Sequence, residues 1–412
     1  MCLLHYNCQG CDEPPEQGLD GFKGHRGARL AVSVRLGTDP ANRQTDRSPV
    51  FCQLKGQGGT VTKISKAKKV PKTGLEPKSH INTCTVMGCS RPRYEVRNWP
   101  LHFLFLFSAG MGHEIFYITC LPCIHWNLDP FLCRRLVNMW TMVMYIGQLM
   151  KDLLKLPRPP SPPVVKLETR VDVEYGLPST HAMAATAISF TVLLSAQSRF
   201  QFPFQVGLMV AVTMSSLVSL SRLYTGMHSV LDVISGVLLS AVLILLTYPY
   251  WEAIDQFQLS SPLSPAVGLM LPLFLSYTYP DLGHYSTTRG DTTTILGAGG
   301  GCFAGYWVSE RLGPTIEPGG PLPAPLPTLT LHALAWGAAR FLVGVLALVG
   351  TRQVVKTLSL RVLYSWYKVP RNDSGARRRK EIEVPYKFVT YTAVGLVNSI
   401  LVNRVFVLLG LS

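Results

Sequence analysis

Beyond Trp99 the chain alternates between long apolar runs and short polar breaks, and the length of the runs indicates what they are. A helix needs ~20 residues to cross a hydrocarbon core ~30 Å thick. Stretches of helix length predict spans at 101–123, 131–150, 182–197, 204–222, 229–250, 264–280, 293–309, 329–350 and 387–410. A further stretch, 353–368, contains Lys356 and Arg361 and reads as either a short span or an interfacial helix, because such charges snorkel only near a helix end. Pro-rich breaks at 157–163 and 314–327 separate runs. Trp99, Trp126, Trp251 and Trp307 sit near run ends, where interfacial aromatic belts form. The expected architecture is therefore an all-α multi-pass membrane helical bundle over residues 99–412. Residues 1–98 contain no long apolar run, are rich in Gly, Pro, Lys and Arg, and are expected to be largely disordered. No secretory signal opens the sequence, so the run near Pro100 is expected to act as the insertion signal.

Charge changes this picture little. The net charge of +15 would suggest nucleic acid in a soluble protein. Here residues 1–98 hold 16 Lys/Arg against 8 Asp/Glu, and much of the remaining excess lies in 151–170 and in Arg377-Arg378-Arg379-Lys380. Anionic headgroups and a phosphate-bearing substrate account for these positions, so the bilayer is an expected partner and nucleic acid is not. Of ten cysteines, six (Cys2, Cys8, Cys11, Cys52, Cys84, Cys89) precede the first run. Cys8-x-x-Cys11 and Cys120-x-x-Cys123 each stand alone without a zinc-ligand pattern, and scattered reduced thiols are expected.

The candidate chemistry lies in polar residues at the ends of the apolar runs. Lys151 is followed seven positions later by Arg158-Pro159, so on a continuous helix the two cations share a face. Arg presents a planar fork to phosphate oxygens and Lys a compact charge. Basic residues also flank ordinary spans. Pro178-Ser179-Thr180-His181 opens the next run, where the free amides and hydroxyls of a first helical turn form an anion site. A Ser or Thr N-cap with an incidental histidine is the plainer alternative. Ser221-Arg222 precedes His228 by six residues from the arginine, and Asp232 follows four later. The i,i+4 spacing lets the carboxylate hold one ring nitrogen and direct the other outward. Ionisable residues at membrane depth usually mark function.

The three motifs fall on one side of the membrane if each run crosses once. The second run ends at Lys151, the third begins at Pro178–His181, the fourth returns to Arg222, and the fifth begins at His228. Three segments placed at random would agree about one time in four.

In this order the residues resemble the type 2 phosphatidate phosphatase (PAP2) superfamily, with its K-x6-RP, PS-x-H and SR-x5-H-x3-D pattern. Thr180 stands where that family commonly has Gly, whose role there is carried by the backbone. The stretches Tyr175–Thr186, Ser221–Gly236 and Glu383–Tyr391 resemble sphingosine-1-phosphate phosphatases more narrowly. The resemblance covers about residues 100–412. It implies a PAP2/haloperoxidase-like core at about 131–250 and two-step hydrolysis of a phosphorylated sphingoid lipid. His228 would be the nucleophile, Asp232 its orienting partner and His181 the general acid. Lys151, Arg158, Ser179, Thr180 and Arg222 would bind the phosphate. No metal or other cofactor is expected, since three cations and backbone dipoles supply the charge a metal would, and the sequence does not identify protein partners.

The resemblance also implies an endoplasmic reticulum membrane protein with its site on the luminal face. Arg134-Arg135 on the opposite face agrees with this, while the basic N-terminal segment does not. If 353–368 crosses the membrane, Arg377–Lys380 and the acceptor Asn372-Asp373-Ser374 fall opposite the site, and Asn372 is expected to be unmodified. Three other readings stay open: a broader lipid phosphatase acting on phosphatidic or lysophosphatidic acid, a transporter or channel, and an inactive scaffold. The first keeps every catalytic residue, the second has no need of the Arg222/His228/Asp232 spacing, and the third is disfavoured because no motif position is lost.

Overall fold

In the computed structural model of the chain, residues 4–6 and 94–411 are described, except 113, 162–163, 169–173, 284, 314–321, 329, 371–372 and 374. The chain divides into two units, Met1–Asn7 with Pro92–Ser412 and Cys8–Arg91. The second unit, the disorder expected of residues 1–98 apart from a few positions, the six cysteines preceding the first run, and both Asn372 and Ser374 lie outside the described residues.

The described chain is helical, with α1 Trp99–Met111, α2 Glu114–Asn127, α3 Pro130–Leu154, α4 Thr180–Ala196, α5 Phe204–Tyr224 and α6 Val230–Thr247. It continues with α7 Trp251–Ser260, α8 Ser264–Tyr277, α9 Thr287–Arg311, α10 Leu331–Trp366, α11 Lys380–Leu396 and α12 Val402–Leu408. Two short strand pairs, Leu4–Tyr6 with Tyr94–Val96 and Phe200–Gln201 with Ala324–Pro325, complete it. Asn98, Asp129, Ser179, Ser229, Ser286 and Thr330 each cap a helix with a side-chain acceptor, which explains where α1, α3, α4, α6, α9 and α10 begin.

Among the described residues, four segments are long and apolar enough to cross a membrane: α5, the α6–α7 pair, α10 and the α11–α12 pair. The bent α1–α2 pair would make a fifth. Two of the other predicted spans miss on composition. At 25 residues α3 is long enough, but it carries Arg134, Arg135, Lys151 and Asp152, and the equally long α9 is rich in Gly and Thr. The other two, α4 with 17 residues and α8 with 14, are apolar but short. Three of them pack inside the bundle, α9 against α3, α8 and α11 and α4 against α3, α5 and α6, whereas α8 lies on α9 by one side and leaves Met270, Leu271 and Phe274 exposed. The run Gly299-Gly300-Gly301 lets α9 approach its neighbours closely.

Polar contacts sort the helix ends into two sets. At one end Asp152 of α3 accepts from Thr288 of α9 (2.6 Å) and from Tyr279 (2.8 Å). There too, Arg289 meets Glu383 of α11 (2.9 Å) and His102 of α1 meets Tyr224 of α5 (2.7 Å). At the other end Arg134 and Arg135 share Asp255 of α7, Arg199 pairs with Asp129, and Arg311 donates to the carbonyls of Leu259 and Ser260. Consecutive crossings therefore alternate in direction, as the parity of the runs predicts.

The stretch 353–368 is neither a separate span nor an interfacial helix. It continues α10, which runs unbroken for 36 residues, or ~54 Å at 1.5 Å per residue. Nothing at Gly350-Thr351-Arg352 breaks the helix: Thr351 bonds back to the Ala347 carbonyl (2.8 Å) and Arg352 reaches the Tyr391 hydroxyl (3.1 Å). One crossing fewer moves the α10–α11 connection, and with it Arg377–Lys380, to the Lys151 end. Arg134 and Arg135 are consumed by Asp255, so neither charge group now supports the expected orientation. The aromatic belt also fails in part, because Trp126 and Trp251 are buried in core clusters.

Candidate active site

All three motifs meet at the Lys151 end, and the local structure differs from the simple helical reading. Lys151 lies in the last turn of α3, which ends at Leu154 because Lys155 adopts the left-handed cap (φ 52°) and Pro157 follows. Arg158 is therefore outside the helix, and the two cations do not share a helical face. They converge because the described parts of the connection between α3 and α4 pack back onto the end of the bundle. Gly176 N–H donates to the Leu156 carbonyl (2.8 Å), Leu167 N–H to Thr225 (3.1 Å) and Ser179 N–H to Asp232 (2.9 Å). Gly226 makes this docking possible: its φ is +68°, and a Cβ there would collide with the Val165 carbonyl.

Pro178 precedes the cap rather than entering the first turn. Ser179 is the N-cap of α4, and Thr180 and His181 are its first two residues. The Lys151 ammonium, almost wholly buried, donates to the Thr180 hydroxyl (3.0 Å). His181 is half-buried beside the end of α1, where a Cβ on Gly112 would lie 2.7 Å from its Cδ2.

His228 also lies outside a helix, just before the N-cap Ser229 of α6. Asp232 is the third helical residue and closes a reciprocal cap, its Oδ2 accepting from Ser229 N–H (2.7 Å) while its own N–H donates to Ser229 Oγ (3.2 Å). The same Oδ2 stands 3.5 Å from His228 Nδ1. That approach is too long for a firm hydrogen bond, but it still turns Nδ1 toward the carboxylate and Nε2 away from it. Burial pushes the His228 imidazole down to about 4, with Lys151 and Arg158 adding to the effect and Asp232 opposing it. At neutral pH the ring is an uncharged base.

The cations are held by two carboxylates that the motifs do not include. Glu174 Oε2 lies 3.5 Å from Lys151 Nζ and 3.2 Å from Arg158 Nη2, and the Glu174 carbonyl accepts from Arg158 Nε (3.0 Å). Burial lowers the Arg158 pKa and Glu174 pulls it back up. Glu168 faces Arg222, with Oε1 3.1 Å from Nη2 and Oε2 3.4 Å from Nη1. The geometry at Nη2 suits an ion pair rather than a hydrogen bond, so the buried Arg222 keeps Nε and Nη2 without an acceptor. Three buried cations left uncompensated would cost several kcal/mol each, which explains why acidic side chains occupy them. The legible signal was acidic residues in the loop joining two cationic motifs, a pattern with no fixed spacing. Behind Lys151, Asp152 is tied to Tyr279 and Thr288, so loop 279–286 and α9 brace the end of α3.

Among the described residues no three His, Cys, Asp or Glu side chains are grouped to hold a metal ion, and Cys120, Cys123, Cys133 and Cys302 are free thiols. A cleft lined by Arg135, Met139, Thr247 and Trp251 lies at the far end, away from every motif residue.

The arrangement has an uncharged imidazole backed by a carboxylate, three cations and a capped helix N-terminus, and such groups suit phosphoryl transfer. Comparison with known proteins agrees. The model of the PAP2 superfamily matches residues 133–255. The chain is 52% identical to human sphingosine-1-phosphate phosphatase 2 over 342 residues, 82% of this chain and 86% of the relative. It is 40% identical to rat sphingosine-1-phosphate phosphatase 1 over 400 residues, 97% of this chain and 92% of the relative, so this likeness extends into the first 98 positions. A dihydrosphingosine 1-phosphate phosphatase of Schizosaccharomyces pombe is 30% identical over 223 residues, 52% of this chain and 54% of the relative. No solved structure matches. The chain is a multi-pass membrane protein of the PAP2 superfamily and belongs within it to the sphingosine-1-phosphate phosphatases.

Proposed function

We propose that the protein hydrolyses sphingosine 1-phosphate and related long-chain base phosphates to the sphingoid base and phosphate. The observation that carries this reading is the meeting of His228 and Asp232 with the buried side chains of Lys151, Arg158 and Arg222, in a chain of this family. His228 Nε2 attacks phosphorus and the bond to the C1 oxygen breaks. His181 gives a proton to the departing alkoxide. Water, deprotonated by His181, then attacks the phosphohistidine, the P–N bond breaks and the electron pair returns to His228. Lys151, Arg158, Arg222 and the Ser179/Thr180 turn balance the charge on the phosphoryl oxygens in both steps. No step needs a metal or cofactor.

We infer an endoplasmic reticulum membrane location with the site facing the lumen, a reading supported by the family resemblance and by no charge group of the structure. The test of the reaction is acid-labile, base-stable phosphate on His228 after a rapid quench with labelled sphingosine 1-phosphate. Label that persists in His228→Ala contradicts the assignment. A broader action on phosphatidic or lysophosphatidic acid uses the same residues and is separated by turnover of a substrate panel.

A further inference from the structure

Glu174 lies where the phosphoryl group must go. Its Oε2 is within 3.5 Å of Lys151 Nζ and 3.2 Å of Arg158 Nη2, two of the three cations assigned to phosphate. A phosphate dianion cannot take those nitrogens while the carboxylate keeps them, since buried like charges in contact repel strongly. Once displaced, Glu174 needs a new cation, because its side chain is only 20% exposed and an unpaired carboxylate there is costly. A sphingoid base phosphate brings one: an ammonium group on the carbon next to the one that bears the phosphate. Phosphatidic and lysophosphatidic acids carry no such charge.

Resting on the substrate reading above, we propose that Glu174 is a specificity-determining residue. It occupies the phosphate seat in the empty enzyme and becomes the counter-ion of the substrate ammonium when phosphate displaces it. Charge supports the exchange. Lys151, Arg158 and Arg222 are balanced in the empty site by Glu174, Glu168 and Asp232. A zwitterionic substrate with a dianionic phosphate adds one net negative charge, whereas an ammonium-free phosphate monoester adds two. Glu174 is better placed than Glu168 for this role. Its contacts to two cations fall on one oxygen, and only Tyr175, Gly176 and Leu177 separate it from the Pro178–His181 turn.

The test compares kcat/KM for sphingosine 1-phosphate with that for lysophosphatidate, in wild type, Glu174→Gln and Glu174→Asp. Both substrates are turned over by one preparation, so the ratio is independent of the fraction folded. The wild type should favour sphingosine 1-phosphate. Glu174→Gln should lower the ratio about tenfold, corresponding to ~1.4 kcal/mol for a partly buried ion pair. Glu174→Asp should retain most of it, and the vanadate inhibition constant should fall in Glu174→Gln as the competing negative charge is removed. A preference for sphingosine 1-phosphate that survives Glu174→Gln, with both substrates affected equally, overturns this inference alone. A wild type that favours lysophosphatidate overturns the substrate reading and this inference with it.

Discussion

In the proposed mechanism two histidines divide the chemistry, and their surroundings make the division testable. His228→Ala should leave no detectable phosphate release, whereas His181→Ala should lose about 10²–10⁴-fold on an alcohol leaving group. With p-nitrophenyl phosphate, whose leaving group needs no proton, His181→Ala should still form the phosphoenzyme. Equal loss on both substrates would remove His181 from the role of acid. The pH dependence has a definite sign. A nucleophilic imidazole works uncharged, and burial holds His228 down to about 4. Its contribution to kcat/KM, corrected for ionisation of the substrate phosphate, should therefore persist down to pH 5 and disappear as pH falls through about 4. Asp232 favours the charged ring, so Asp232→Asn should move that limb lower still while kcat drops. A corrected limb near 6.5 would show that the ring is not buried as described. Lys151, Arg158, Arg222, His181 and His228 were legible in the sequence because the chemistry fixes their type and spacing. Glu168 and Glu174 were not, because a counter-ion on a folded-back loop needs only to arrive, at no particular interval.

The elements that set the site are its loops and caps more than its helices. Pattern and length located the helical runs well, since an apolar run has few other ways to satisfy its backbone. The details at their ends were misread. Lys151 to Arg158 looked like two helical turns, but Pro157 and the left-handed Lys155 end α3 first. His228 to Asp232 looked like one helical turn, but Ser229 is the cap and His228 lies before it. In both cases a capping signal was present and outweighed by spacing. Gly226 tests the loop docking. Gly226→Ala meets both a positive φ and the Val165 carbonyl, and should destabilise the protein by about 1–3 kcal/mol while lowering kcat/KM. Gly350→Ala, in open space on α10, is the control and should be neutral or stabilising by up to ~1 kcal/mol. Equal unfolding midpoints in detergent for wild type and Gly226→Ala would contradict the described docking.

For the whole molecule, the alternation of crossings was readable from run order, and α10 shows where that reading stops. Two runs separated by Gly350-Thr351-Arg352 contain nothing that ends a helix, and hydropathy alone cannot distinguish one long helix from two short ones. The consequence is topological. The α10–α11 connection and the 155–179 loop share one end of the bundle, so a glycosylation tag in 160–175 and the natural acceptor at Asn372 should report the same side. A luminal site predicts that both are modified, which reverses the expectation for Asn372 based on run count. Modification of one and not the other would mean that α10 does not cross once. Metal-free hydrolysis of a sphingoid phosphate by His228 stands or falls on phosphate release from sphingosine 1-phosphate by the purified full-length protein in EDTA. Release should be steady, should be inhibited competitively by vanadate and should be abolished in His228→Ala. Release that stops on chelation and returns with Mg²⁺, or that survives in His228→Ala, would contradict it.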